Sequence, residues 1–199
     1  MTTVPIFPPP LILASTSRYR RDLLSRLRLP FEVSSPGVDE VERPGEPPGK
    51  RAERLALEKA RAVADRRSSG LIIGSDQVAA LGSDILDKPG GFERAFDQLR
   101  RARGREVVFH TAVALVDAAS GQASVQCVPY AVVFRSITDR EIERYLRLEE
   151  PYDCAASAKA EGLGITLIES MRGDDPTALI GLPLIALSAM LRRHGVEIP

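Results

Sequence analysis

The sequence predicts an α/β protein built on a mixed, twisted central sheet with flanking helices. Three observations carry that expectation. Short apolar runs at Leu11–Ala14 and Leu71–Ser75 read as buried strands, and amphipathic helical segments alternate with them. Two longer segments, Glu106–Val116 and Ala123–Phe134, flank a turn at Ser120-Gly121 and read as an antiparallel hairpin. A hairpin set into a strand–helix alternation argues against a purely parallel sheet.

The elements follow in order. Thr2 to Pro10 holds four prolines and lacks the basic and apolar regions of a secretory signal, so residues 1–10 are expected to be a flexible tail. Residues 11–199 are expected to form a single domain. Ser17 is suited to cap a first helix whose apolar stripe is Leu23, Leu24 and Leu27. Phe31–Ser35 reads as a short strand, and Pro36–Lys50 as a proline-rich acidic loop with Asp39, Glu40, Glu42 and Glu46. Ala52, Leu55, Ala56, Ala60 and Val63 mark a helix over Arg51–Arg67. The strand Leu71–Ser75 presents Asp76 and Gln77 at its carboxyl end, where open α/β sheets hold ligands. A turn at Asp87–Gly90 precedes a helix over Phe92–Arg103, and Thr138 with Glu141 gives a capping box for a helix through Leu148. A strand at Ile165–Ile168 and a last helix from Pro183 to Arg193 complete the chain.

Composition excludes several function classes. No apolar run approaches the roughly 20 residues needed to span a bilayer, so no membrane partner is expected. Lys plus Arg and Asp plus Glu are equal at 27 each, so there is no overall field to hold duplex nucleic acid, and any anion site is local. Two cysteines and two histidines are too few and scattered for a zinc site or a disulfide framework, and reduced thiols in a cytoplasmic protein are expected.

The chemistry gathers elsewhere. Ser15, Ser17 and Arg20 stand where a strand runs into a helix N-terminus, whose free N–H groups and dipole favour phosphate. Read singly, Asp76 also suits a loop cap, Glu40 an exposed loop acid, and Lys59 a helix-face ion pair. Read together with Lys88, they form a set suited to phosphoryl chemistry. Carboxylates can hold a divalent cation while arginine and lysine neutralise the remaining phosphate charge.

Six segments in order carry a resemblance: Ser15-Thr16-Ser17-Arg18-Tyr19-Arg20, Val38-Asp39-Glu40, Glu58-Lys59-Ala60, Gly74-Ser75-Asp76-Gln77-Val78, Asp87-Lys88-Pro89 and Ser157-Ala158-Lys159-Ala160-Glu161-Gly162. The chain resembles the Maf family of nucleoside triphosphate pyrophosphatases over almost its whole length. Gln77 and Glu161 make it most similar to the subgroup acting on 7-methyl-GTP. The resemblance implies cleavage between the α and β phosphates to a nucleoside monophosphate and pyrophosphate. It also implies a fold related to inosine triphosphatase-like enzymes, a divalent metal (magnesium, manganese or cobalt) and a cytoplasmic homodimer. On this resemblance Asp76 is the proton acceptor, and Glu40 and Asp76 are the metal-associated acids. Ser15, Arg20, Lys59 and Lys88 surround the triphosphate, with Arg21 less firmly matched, while Tyr19, Gln77 and Glu161 are substrate-binding and specificity positions. Tyr19 stands where the subgroup more often has tryptophan, and Arg18 where it commonly has proline. Within the family the other expectation is a dTTP/UTP pyrophosphatase; outside it, a non-catalytic nucleotide-binding regulator of septum formation.

Base choice has a physical reading as well. Guanine offers adjacent N–H donors that the Glu161 carboxylate can accept as a pair, whereas a pyrimidine would present a carbonyl to the same group. Methylation at position 7 makes the base cationic, and the Tyr19 ring can then attract it by roughly 1–2 kcal/mol.

Overall fold

The structure, a computed structural model, describes residues 9–199, so residues 1–8 of the expected tail lie outside the described part. The strands are β1 (Leu11–Leu13), β2 (Phe31–Val33), β3 (Leu71–Leu81), β4 (Asp84–Ile85), β5 (Glu106–Asp117), β6 (Ala123–Phe134) and β7 (Ile168–Arg172). The helices are α1 (Arg18–Ser25), α2 (Pro48–Ala64), α3 (Phe92–Ala102), α4 (Asp139–Glu149), α5 (Pro176–Ile180) and α6 (Leu184–Arg193). One sheet runs β2-β1-β3-β5-β6-β7, with β4 on β3. The pairs among β1, β2 and β3 are parallel and the rest antiparallel, which is the mixed α/β sheet the hairpin implied.

The two pairing regimes meet in β3. β1 pairs it only from Leu71 to Ile73, whereas β5 follows it from Leu71 to Ala80. Beyond Ile73 the chain of β1 turns away at Ala14 toward α1, so a crevice opens beside a strand that continues. Alternation along β3 then assigns each residue a face. Ile72 and Val78 pack with Ala52, Ala56 and Ala60 of α2, while Leu71 and Ile73 pack on the opposite side with Leu184, Leu187 and Leu191 of α6. A further core joins α3 and α4 to the far half of the sheet through Leu99, Phe109, Phe134, Ile142 and Leu146.

Three expectations are corrected. The strand predicted to end at Ser75 runs on to Leu81, because the ladder with β5 continues through the polar Asp76-Gln77 pair; Asp76 is therefore mid-strand. The helix predicted from Arg51 starts at Pro48, a residue whose fixed φ suits the first helical turn. The strand predicted at Ile165–Ile168 is a 3-10 turn over Leu163–Leu167, and β7 begins only at Ile168. Glu149 draws that turn in by accepting the Leu163 N–H at 2.6 Å. Helix α5 was not predicted; at five residues it is too short to show a period, and its signature is the Asp175 cap followed by Pro176. The hairpin is as read, with Val116 opposite Ala123, and so is the Thr138–Glu141 capping box.

Candidate active site

The crevice beside β3 opens into a cavity of about 660 Å³. Asp76, on the α2 side of β3, and Lys59, on α2, are both buried, and Lys59 Nζ lies 2.6 Å from Asp76 Oδ1. Gly74 makes that approach possible. A Cβ at Gly74 would overlap the Ala56 carbonyl oxygen and crowd the backbone nitrogen of Ala60. Without a side chain there, α2 rests directly on β3 and its Lys59 reaches the carboxylate two residues further on.

The same ammonium lies 2.6 Å from Glu40 Oε1, so the acidic loop is drawn over the buried pair. Arginines on α2 hold that loop down. Arg54 pairs with Glu46 at 2.6 Å and donates to the Val41 carbonyl at 3.1 Å, and Arg51 reaches Glu42 at 3.3 Å. Arg51 also lies 3.4 Å from Asp87, in the turn that carries the exposed Lys88. The carbonyl of Asp87 accepts from Gln98, whose side-chain oxygen accepts from Ser157 at 2.6 Å. Arg51 and Gln98 thus connect three loops around the cavity. Sequence reading missed both, because their partners lie far along the chain.

Charge in this wall is unevenly set. Burial pushes the Asp76 carboxyl above the ordinary aspartate range, against the pull of Lys59 and Arg20. Glu40 moves the other way. Burial would raise it, but the hydrogen bond from Lys59 and the charges of Lys59, Lys88 and Arg20 outweigh that, leaving it below the usual glutamate range. Desolvation lowers Arg20, which Asp76 and Glu40 partly offset. Its Nε donates to the Gly181 carbonyl at 3.0 Å, which fixes the guanidinium over the first turn.

That turn forms as predicted. Ser17 caps α1 by accepting from the Arg20 N–H at 3.4 Å, and the buried Ser15 accepts from the Ser17 N–H at 3.1 Å. Ser15, Arg20, Glu40, Lys59, Asp76 and Lys88 all line the cavity. Arg21 does not; it is exposed beside Asp22 at 3.7 Å.

The remaining predicted residues, Tyr19, Glu161 and Gln77, line the cavity as well. Tyr19 lines the cavity, and its hydroxyl accepts from Arg18 at 2.8 Å. Glu161 lines it on an exposed turn held from behind by Glu149, which pairs with Lys159 at 2.7 Å. Gln77, one residue past Asp76, takes the α5 side of the strand. Its amide nitrogen lies 2.9 Å from the Ala178 carbonyl and 3.0 Å from that of Leu179, so it ties α5 to β3. Cys154 is also at the rim; burial pushes its thiol up to about 12, which keeps it protonated and without nucleophilic character at neutral pH.

Among the described residues no three His, Cys, Asp or Glu side chains cluster as a metal cage. The donor set present is the pair Glu40 and Asp76. Two hard carboxylate oxygens fit a divalent cation of the magnesium type, which commonly takes one or two carboxylates and completes its shell with phosphate and water.

The model of Maf-like proteins matches residues 10–194. The chain belongs to the Maf family. Relatives within the family include a 7-methyl-GTP pyrophosphatase of Aromatoleum aromaticum, 59% identical over 95% of this chain and 97% of the relative. A 7-methyl-GTP pyrophosphatase of Thiobacillus denitrificans is 55% identical over 96% and 94% of the two chains, and one of Bordetella parapertussis 56% identical over 98% and 96%. No helix among the described residues is long and apolar enough to cross a membrane.

Proposed function

We propose that this Maf-family chain is a nucleoside triphosphate pyrophosphatase that converts 7-methyl-GTP to 7-methyl-GMP and pyrophosphate. The observation that carries the reading is the buried Asp76–Lys59 pair on the cavity floor, bridged by the same ammonium to Glu40 and overlooked by Arg20. Relatives of more than half identity, named for that reaction and aligned along nearly their full length, support the substrate.

The triphosphate binds across the α1 N-terminus, with Ser15, Arg20 and Lys88 as its polar and cationic partners. Asp76 orients the attacking water and accepts its proton, and its raised pKa makes it a better base than a solvated aspartate. Lys59 keeps that carboxylate in place and limits how far burial shifts it. Glu40 and Asp76 would hold a divalent cation, which when bound supplies Lewis-acid polarisation and neutralises phosphate charge. Arg20 and Lys88 stabilise the charge that develops on the departing pyrophosphate. The guanine edge meets the Glu161 carboxylate, and the ring meets Tyr19.

The test is pyrophosphate release from a panel of 7-methyl-GTP, GTP, UTP and dTTP with magnesium, manganese or cobalt. The expected result is fastest turnover of 7-methyl-GTP. A preference for UTP or dTTP would replace the substrate while keeping the reaction, and no turnover at all would leave a nucleotide-binding regulator as the remaining reading.

A further inference from the structure

At the rim of the cavity a cation already stands on the Tyr19 ring. The Arg18 guanidinium carbon lies 4.8 Å from the ring centroid, and its Nη2 donates to the Tyr19 hydroxyl at 2.8 Å. The same nitrogen is 3.9 Å from Asp153 Oδ2, which also accepts from the Tyr19 hydroxyl at 3.4 Å. An aromatic face with a carboxylate at its edge is a receptor for a flat organic cation, and guanidinium is one such cation. A guanine methylated at position 7 is another.

Resting on the substrate reading above, we propose that Tyr19 and Asp153 form a cation slot for the methylated base, and that Arg18 is its internal competitor. Arg18 must leave the ring before any base can stack there. Its departure costs the same for a charged and an uncharged guanine, so Arg18 lowers affinity for both alike. Discrimination then falls to Asp153: released from Arg18, it attracts the positive ring of 7-methylguanine and offers the neutral ring of guanine no comparable charge pairing. Glu161 differs from it in role, since it reads the hydrogen-bond edge that both bases share.

Both side chains are largely exposed, at 64% for Arg18 and 58% for Asp153, so their replacement leaves the core intact. Steady-state kinetics of Arg18→Ala and Asp153→Asn on 7-methyl-GTP and on GTP separate the two roles. For Arg18→Ala the expected result is a fall in KM of about two- to five-fold on both nucleotides, the range of an exposed cation–π contact. For Asp153→Asn it is a loss of about two- to five-fold in the ratio of kcat/KM for 7-methyl-GTP over GTP, the size of an exposed charge pair. An unchanged or higher KM in Arg18→Ala would overturn the competition, a rise meaning that the guanidinium holds the triphosphate instead. An unchanged ratio in Asp153→Asn would overturn the slot. The unmodified chain distinguishes the levels: if it fails to turn over 7-methyl-GTP, the substrate reading falls and takes this inference with it, whereas normal turnover with silent variants removes this inference alone.

Discussion

At one end of the cavity Asp76 and Lys59 sit on a long strand and a long helix, each side chain 8% exposed, and touch at 2.6 Å. At the other end Asp153 and Glu161 sit on exposed loop backbone, and Tyr19 on the first turn of α1. The proton transfer proposed for Asp76 calls for a carboxylate held to a fraction of an ångström, and regular elements packed through Gly74 offer such a mounting. The base recognition proposed for the other end calls only for a shape and a few charges, which loops can offer. Yet the base end is not slack. Ala156 and Ser157, both buried, adopt φ of 55° and 54°, a conformation unfavourable for side-chain-bearing residues, and are held there by the Ala156 N–H bond to Leu86 and the Ser157–Gln98 bond.

The sharpest way to break the contrast is Asp76→Asn. It removes the proposed proton acceptor while keeping the shape, and turnover of 7-methyl-GTP is expected to drop by about 100- to 10,000-fold with nucleotide binding retained, read by pyrophosphate release and calorimetry. The pH dependence of the unmodified chain belongs with it. In the metal-free chain burial raises the Asp76 pKa, so a titration of its carboxyl followed by NMR should show protonation above the ordinary aspartate range, with a bound divalent cation moving it down. A titration at the ordinary range in the metal-free chain would remove the raised basicity assigned to Asp76.

Lys59→Met comes next. It leaves a buried carboxylate without its cation and removes the anchor of the Glu40 loop. A loss of about 3–5 kcal/mol in unfolding free energy near neutral pH is expected by denaturant titration, smaller in acid where Asp76 protonates. Gly74→Ala tests how the floor is assembled. The added methyl must push α2 away from β3, at a cost of about 1–3 kcal/mol and with a fall in kcat larger than any change in KM. The smallest effect is at the loop end. Glu161→Gln turns one acceptor into a donor, and a shift in guanine-over-uracil preference of about 1 kcal/mol, some five-fold in relative kcat/KM, is expected with stability unchanged.

The same division explains what could be read from sequence. The β1–α1 corner, the α2 stripe, the hairpin and the Thr138 capping box are local patterns, and each formed where its residues said. The reach of β3 to Leu81 was illegible because it depends on the ladder with β5, not on the polar Asp76-Gln77 step itself. Asp76, Lys59 and Glu40 were named as one set from their chemistry and their ordered motifs, but that a single ammonium contacts both carboxylates is known only from the packing of α2 on Gly74. Arg51 and Gln98 looked like ordinary helix residues, since a partner 36 or 59 residues away leaves no local trace. Gln77 shows the limit from the other side. Its place in the Gly74–Val78 motif suggests a part in substrate choice, and it does line the cavity, but that its amide nitrogen also holds the Ala178 and Leu179 carbonyls of α5 leaves no local trace.

The unequal lengths of β1 and β3, three residues against eleven, have a mechanical corollary. Where the shorter strand stops, the longer one stays laced to β5 as far as Ala80, so the backbone under Asp76 is braced on one flank and bare on the other. A guest molecule can reach that carboxylate without any neighbouring strand having to part.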